Sequence, residues 1–173
     1  MGFLSGLFGN NNNNNNDENI PAIMPPGAID QIRRGILPTM NTNQLMMTNG
    51  EVCHFVERAI RVTEKKIKHY EGGSQGVSIR VMKGVTYRTG RHKGVPVEDI
   101  SYVKTKGLLY VTNKRIVFFA DGQGFEKKFK TLTACVPYSN AIKLQFGNTT
   151  MTLMVPDGNA ANMVITMVSQ STI

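Results

Sequence analysis

No apolar run in this chain approaches the roughly 20 residues a helix needs to cross a bilayer, so any membrane contact is expected to be peripheral. Cysteine is scarce. Cys53 and Cys135 lie far apart in apolar, strand-like surroundings, the pattern of small buried hydrophobes in a reducing compartment and not of a disulfide framework. Neither offers metal-ligand spacing, and His54, His69 and His92 are isolated from one another. Cys53 and His54 are adjacent, and neighbours on a strand point to opposite faces, which argues against a nucleophile and its base. The glycine cluster Gly72-Gly73-Ser74-Gln75-Gly76 lacks the lysine and the strand-to-helix setting of a phosphate-binding loop. The expectation is a protein that is not an enzyme and needs no cofactor or metal. The N-terminus lacks a basic start, a long apolar stretch and a small-residue cleavage site, so a cytoplasmic location is expected, at most peripheral at the inner membrane face.

Acidic residues are also few. Twelve Asp and Glu stand against 20 Lys and Arg, a formal net charge of +8 that favours anionic partners. Residues 78–130 hold twelve cations and four acids, and the rest of the chain has eight of each, so the whole excess belongs to that central segment.

What is abundant is β pattern. Length and an apolar fraction of 40% suit one domain with a real core and an extension. Residues 1–9 form an apolar tip, and residues 10–44, with seven asparagines from Asn10 to Asn16 followed by Pro21, Pro25, Pro26 and Pro38, are expected to be a flexible tether. A short amphipathic helix over Ala28–Leu37 is the one element expected within it. Residues 45–173 are expected to fold. From Glu51 to Ile67 the apolar spacing fits a helix and a strand equally. Alternation then predicts strands around Val77–Val81 and Val85–Tyr87, and at Ser101–Lys106, Gly107–Tyr110, Arg115–Ala120, Gly124–Phe129, Thr133–Tyr138, Ala141–Phe146 and Thr150–Val155. Turn residues separate them. Asp157-Gly158-Asn159 starts a helix whose apolar positions run from Ala160 to Val168.

Two stretches carry a family resemblance: Lys83-Gly84-Val85-Thr86-Tyr87-Arg88-Thr89-Gly90, and Gly107 to Ala120 with its Thr112-Asn113-Lys114-Arg115 turn. They resemble the signature of bacterial pleckstrin-homology-like and GRAM-like domains, over roughly residues 45–169. The resemblance implies an antiparallel β-sandwich or partly open barrel of about seven strands capped by a C-terminal helix, with 51–67 as a long bent strand. It also implies a module that binds and does not catalyse. The tryptophan that many pleckstrin-homology domains carry in the last helix has no counterpart in this chain, which departs there from the eukaryotic phosphoinositide binders.

Three candidate sites follow. Arg80, Lys83, Arg88, Arg91 and Lys93, with His92, surround a glycine-bounded loop that could gather cations about an anion, or form a solvated face that blocks edge-to-edge aggregation. Lys114 and Arg115 have the same ambiguity: an anion site, or a hydrogen-bonded brace for a strand end. Phe3, Leu4, Leu7 and Phe8 would share one face of a helix and form a weak, reversible anchor, to a membrane or to a partner. The expected partner is an anionic lipid surface or a protein, with room for a homo-oligomer. Nucleic acid is not expected, because Phe118, Phe119, Phe125, Phe129 and Phe146 sit where a core would claim them.

Overall fold

A computed structural model describes residues 20–71, 77–82, 85–89 and 95–171, with backbone only across 68–99. The chain divides into two compact units, one of residues up to 63 together with 103 onward, the other of residues 64–102.

The first unit is built on a seven-stranded antiparallel sheet that does not close, in the order β6-β5-β4-β1-β9-β8-β7. Its strands are β1 (Cys53–Glu71), β4 (Val95–Thr112), β5 (Arg115–Phe119), β6 (Phe125–Lys128), β7 (Leu132–Tyr138), β8 (Ala141–Phe146) and β9 (Thr149–Met154). The class expected from the sequence, mainly β with about seven strands and a C-terminal helix, is the class observed. Tight antiparallel turns set the register: Val111 faces Ile116 across the Asn113-Lys114 turn, and Phe146 faces Thr149 across Gly147, whose φ of 58° is the left-handed conformation glycine tolerates. Within residues 51–67 the strand runs from Cys53, with Glu51 and Val52 ahead of it. Ser101–Lys106 and Gly107–Tyr110 belong to one strand. Gly107 is not a break there: a Cβ would overlap the Phe119 carbonyl oxygen across the ladder, so glycine keeps β4 against β5.

The core gathers Phe55, Leu109, Val111, Ile116, Phe118, Ile142, Leu144 and Leu153, all at most 1% exposed. Across it lies α2 (Gly158–Ser171), packed on β7 and β8. Its buried stripe is Ala160, Ala161, Val164, Ile165 and Val168, the helical spacing that marked it in the sequence. Burying its two valines and one isoleucine contributes about 5–9 kcal/mol before the cost of ordering them. Asp157 caps the helix, its Oδ1 accepting the Ala160 N–H at 2.9 Å. Gly158 meets the β7–β8 turn so closely that a Cβ would overlap the Tyr138 and Ala141 carbonyl oxygens.

The expected tether requires correction for residues 20–44. Helix α1 (Pro26–Arg33) starts with proline at its first position, which needs no N–H there, and is terminated by Gly35 at φ 77°. Ile32 is fully buried in the same core, Met24 is 5% exposed, and Met40 bridges to Cys53. The part of the expected tether before residue 20, and the tip, lie outside the described residues.

The second unit holds the outer parts of β1 and β4 and a separate two-stranded sheet, β2 (Val77–Met82) with β3 (Val85–Thr89).

Candidate functional site

The Thr112-to-Arg115 turn is the most densely bonded place in the first unit. Asn113 returns to the chain before β1: its Oδ1 accepts the Val52 N–H at 2.9 Å and its Nδ2 donates to the Gly50 carbonyl at 3.0 Å. The Thr112 hydroxyl donates to Glu51 Oε1 at 2.8 Å and accepts the amides of Lys114 and Arg115. Glu51, with no side-chain exposure, also accepts the amide and hydroxyl of Thr48, each at 2.9 Å. Arg115 completes the cluster. Its Nε lies 2.8 Å from Glu51 Oε1, its Nη1 3.1 Å from Glu126, and its Nη2 donates to the Met46 carbonyl. Burial works to raise the Glu51 pKa, but the hydrogen bonds from Arg115, Thr48 and Thr112 outweigh it and hold the carboxyl down at about 2. The same pairing raises the Arg115 pKa.

This geometry matches the second of the two readings of the turn, the hydrogen-bonded brace. Arg115 and Lys114 are not a free anion site: Arg115 is spent on two carboxylates, and Lys114 Nζ donates to Thr48 Oγ1 and the Asn49 carbonyl. The signature turn braces residues 46–52 against the β4–β5 hairpin.

For the other candidates the structure gives partial placement. The β2–β3 register sets Arg80 opposite Thr86 and Arg88 opposite Ser78, with the only irregularity of that ladder beyond them, between Arg80 and Met82. Lys83, Arg91, His92 and Lys93, like Phe3, Leu4, Leu7 and Phe8, lie outside the described residues. Of the five phenylalanines expected in the core, Phe118, Phe129 and Phe146 are buried and Phe125 packs at their margin, its ring centroid 5.8 Å from Phe118 and 6.3 Å from Phe146, but Phe119 is 56% exposed on the opposite face of β5 and corrects that expectation. Burial pushes the Cys53 and Cys135 thiols up to about 11, away from the thiolate a nucleophile needs.

A concave site that the sequence reasoning missed lies within the first unit. It is a cleft of about 640 Å³ between the Ile20–Pro21 segment, Arg58, Ala59 and Ile60 of β1, and Lys106, Gly107 and Leu108 of β4. That volume is in the range of small-molecule pockets. Its lining is mainly apolar, with the exposed side chains of Arg58 and Lys106 as its charges. Arg58 Nη1 donates to the Pro21 carbonyl at 3.1 Å, which orients it, and Lys106 has no ion-pair partner among the described residues. The segment forming one wall is itself pinned by a buried carboxylate. Glu57, 2% exposed, accepts the Ile23 and Met24 amides at 2.8 Å each through its two oxygens. No sequence signal announces this cleft, because its walls come from three places 37 to 88 residues apart and its second cation is one of two lysines in β4.

Compared with protein-family models, curated proteins and solved structures, the chain matches none.

Proposed function

We propose that this chain is a non-enzymatic, pleckstrin-homology-like interaction module that associates peripherally with an anionic membrane surface. The observation that carries the reading is the cleft, an apolar trough bearing Arg58 and Lys106. Such a site suits an amphiphile, with the acidic headgroup on the cations and an apolar group against the accessible sides of Ile20, Pro21 and Leu108. The basic segment around Arg80 and Arg88 and the apolar tip are further candidates for contact with anionic lipid.

The test is co-sedimentation with vesicles of phosphatidylcholine alone or with phosphatidylserine added. Binding is expected only with the anionic lipid, falling as salt rises. At roughly 1 kcal/mol per basic residue near such a surface, Arg58→Glu with Lys106→Glu should weaken it about 30-fold or more. Equal binding to neutral vesicles, or no binding to either, refutes the reading.

A second reading, self-association, is favoured by one feature. The terminal strand β7 contains no charged residue and exposes Val136 by 44%, whereas β6 at the other end carries Lys127 and Lys128. Light scattering without lipid separates the two, since a monomer at high concentration excludes assembly through β7.

A further inference from the structure

We infer that Phe119, with Leu108 opposite it on the ladder, is the part of the first unit that enters the bilayer interface, so that the neighbouring cleft opens at the level of the headgroups. The inference rests on the membrane reading and adds to it an inserted side chain and an orientation.

The β4–β5 register accounts for the exposure of Phe119. Directly opposed residues of an antiparallel pair share a face, and every second residue along a strand returns to it. Leu108 with Phe119 and Tyr110 with Val117 are therefore successive rungs of one face, and Arg115 ends the row. The chain ahead of β1 roofs this row from the turn end. Arg115 is bonded to Glu51 and to the Met46 carbonyl, and the Tyr110 hydroxyl donates to Gln44 at 3.0 Å, which leaves Tyr110 2% and Val117 8% exposed. The roof stops there. On the next rung Phe119 is 56% exposed, the one exposed phenylalanine among the described residues, and Leu108 is half-buried.

A single exposed apolar side chain needs no explanation by itself. This one is continuous with a charged site. Leu108 also lines the cleft together with Ile20, Pro21, Arg58 and Lys106, and directly opposed Cβ atoms lie only about 4.5–5.5 Å apart, so the phenyl ring stands at the edge of that cleft. An apolar ring flanked by two cations is the composition that suits the boundary of an anionic bilayer, where the ring reaches the acyl layer and the cations meet the headgroups. Asp121, exposed two residues beyond Phe119, is the acid nearest to it in sequence, and the two cations outweigh it.

The chain has no tryptophan, so Phe119→Trp introduces a single fluorescent reporter at the inserted position. Val136→Trp places one at an exposed position on β7, at the end of the strand order. With phosphatidylcholine vesicles containing phosphatidylserine, the emission of the Phe119→Trp protein should move to shorter wavelength and be quenched by lipids brominated on their acyl chains. That of the Val136→Trp protein should do neither. Phe119→Ala should weaken vesicle binding about 5- to 10-fold, as expected for burial of roughly half a phenylalanine side chain. The factor should be the same at low and high salt, unlike the effect of charge reversal at Arg58 and Lys106. If the parent protein sediments with anionic vesicles while Phe119→Ala binds as tightly, or while the Phe119→Trp emission stays unmoved, the inference is overturned and the membrane reading stands on its cations alone. If the parent does not sediment, the membrane reading fails and this inference with it. An emission shift that appears without lipid and grows with protein concentration alongside a doubled mass places Phe119 against a second copy and overturns insertion equally.

Discussion

Replacing Glu51 with glutamine should expose how much the signature turn contributes to folding. Glu51 holds four donors: the Thr48 amide, the Thr48 and Thr112 hydroxyls, and Arg115. Glutamine keeps one acceptor oxygen and turns an NH₂ toward groups that already donate. The carboxyl pKa falls from the ordinary 4.5 to about 2 on folding. At roughly 1.4 kcal/mol per pH unit, that difference corresponds to about 3 kcal/mol of stability at neutral pH. A folded-state pKa below the unfolded one stabilises above the unfolded value, and the contribution is lost as pH falls through 4.5 toward 2. Urea unfolding at pH 7 should therefore place Glu51→Gln about 3 kcal/mol below the parent, a Tm drop of about 6–12 °C for a chain of this size. Other carboxylates titrate in both proteins, so the difference between them is the informative quantity. It should shrink steadily between pH 4.5 and 2. A difference below about 1 kcal/mol at pH 7, or one that stays constant into acid, would refute the account of the cluster.

Two further outcomes test the anchors of the first unit. Glu57→Gln leaves one of the Ile23 and Met24 amides facing an NH₂ group, which should cost about 1–3 kcal/mol and raise hydrogen exchange at Ile23 and Met24 well above that at Ile142. Gly158→Ala should lower stability despite alanine's better helix propensity, because its Cβ collides with the Tyr138 and Ala141 carbonyls; a rise in Tm would show that the contact yields freely.

Much of the fold was legible because its signals are local. Ala141–Phe146 alternates cleanly between turn residues, and the α2 stripe repeats at helical spacing, so both elements came out close to their observed bounds. Prolines misled at residues 20–44. Pro25 and Pro26 read as a bar to packing, whereas they start a helix whose Ile32 is fully buried. Gly107 misled in the same way, since a glycine required by the nearness of Phe119 looks in sequence like a strand end. The roles of Arg115 and Glu57 were beyond local reading. A cation can serve a ligand or a carboxylate 64 residues away, and a lone acid can anchor two amides 33 and 34 residues upstream. The cleft depends on three such separated pieces and had no trace in any one of them.

The chain leaves the first unit along β1 and re-enters along β4, and these strands are neighbours in the seven-stranded sheet. Residues 64–102 are thus a detour within a single hairpin. Their removal and replacement by a turn of about four residues would leave the order of the seven strands intact and would lower the entropic cost of joining β1 to β4 by about 2 kcal/mol. The detour, which carries Arg80 and Arg88, can accordingly be exchanged as a cassette while the order of the seven strands stays the same.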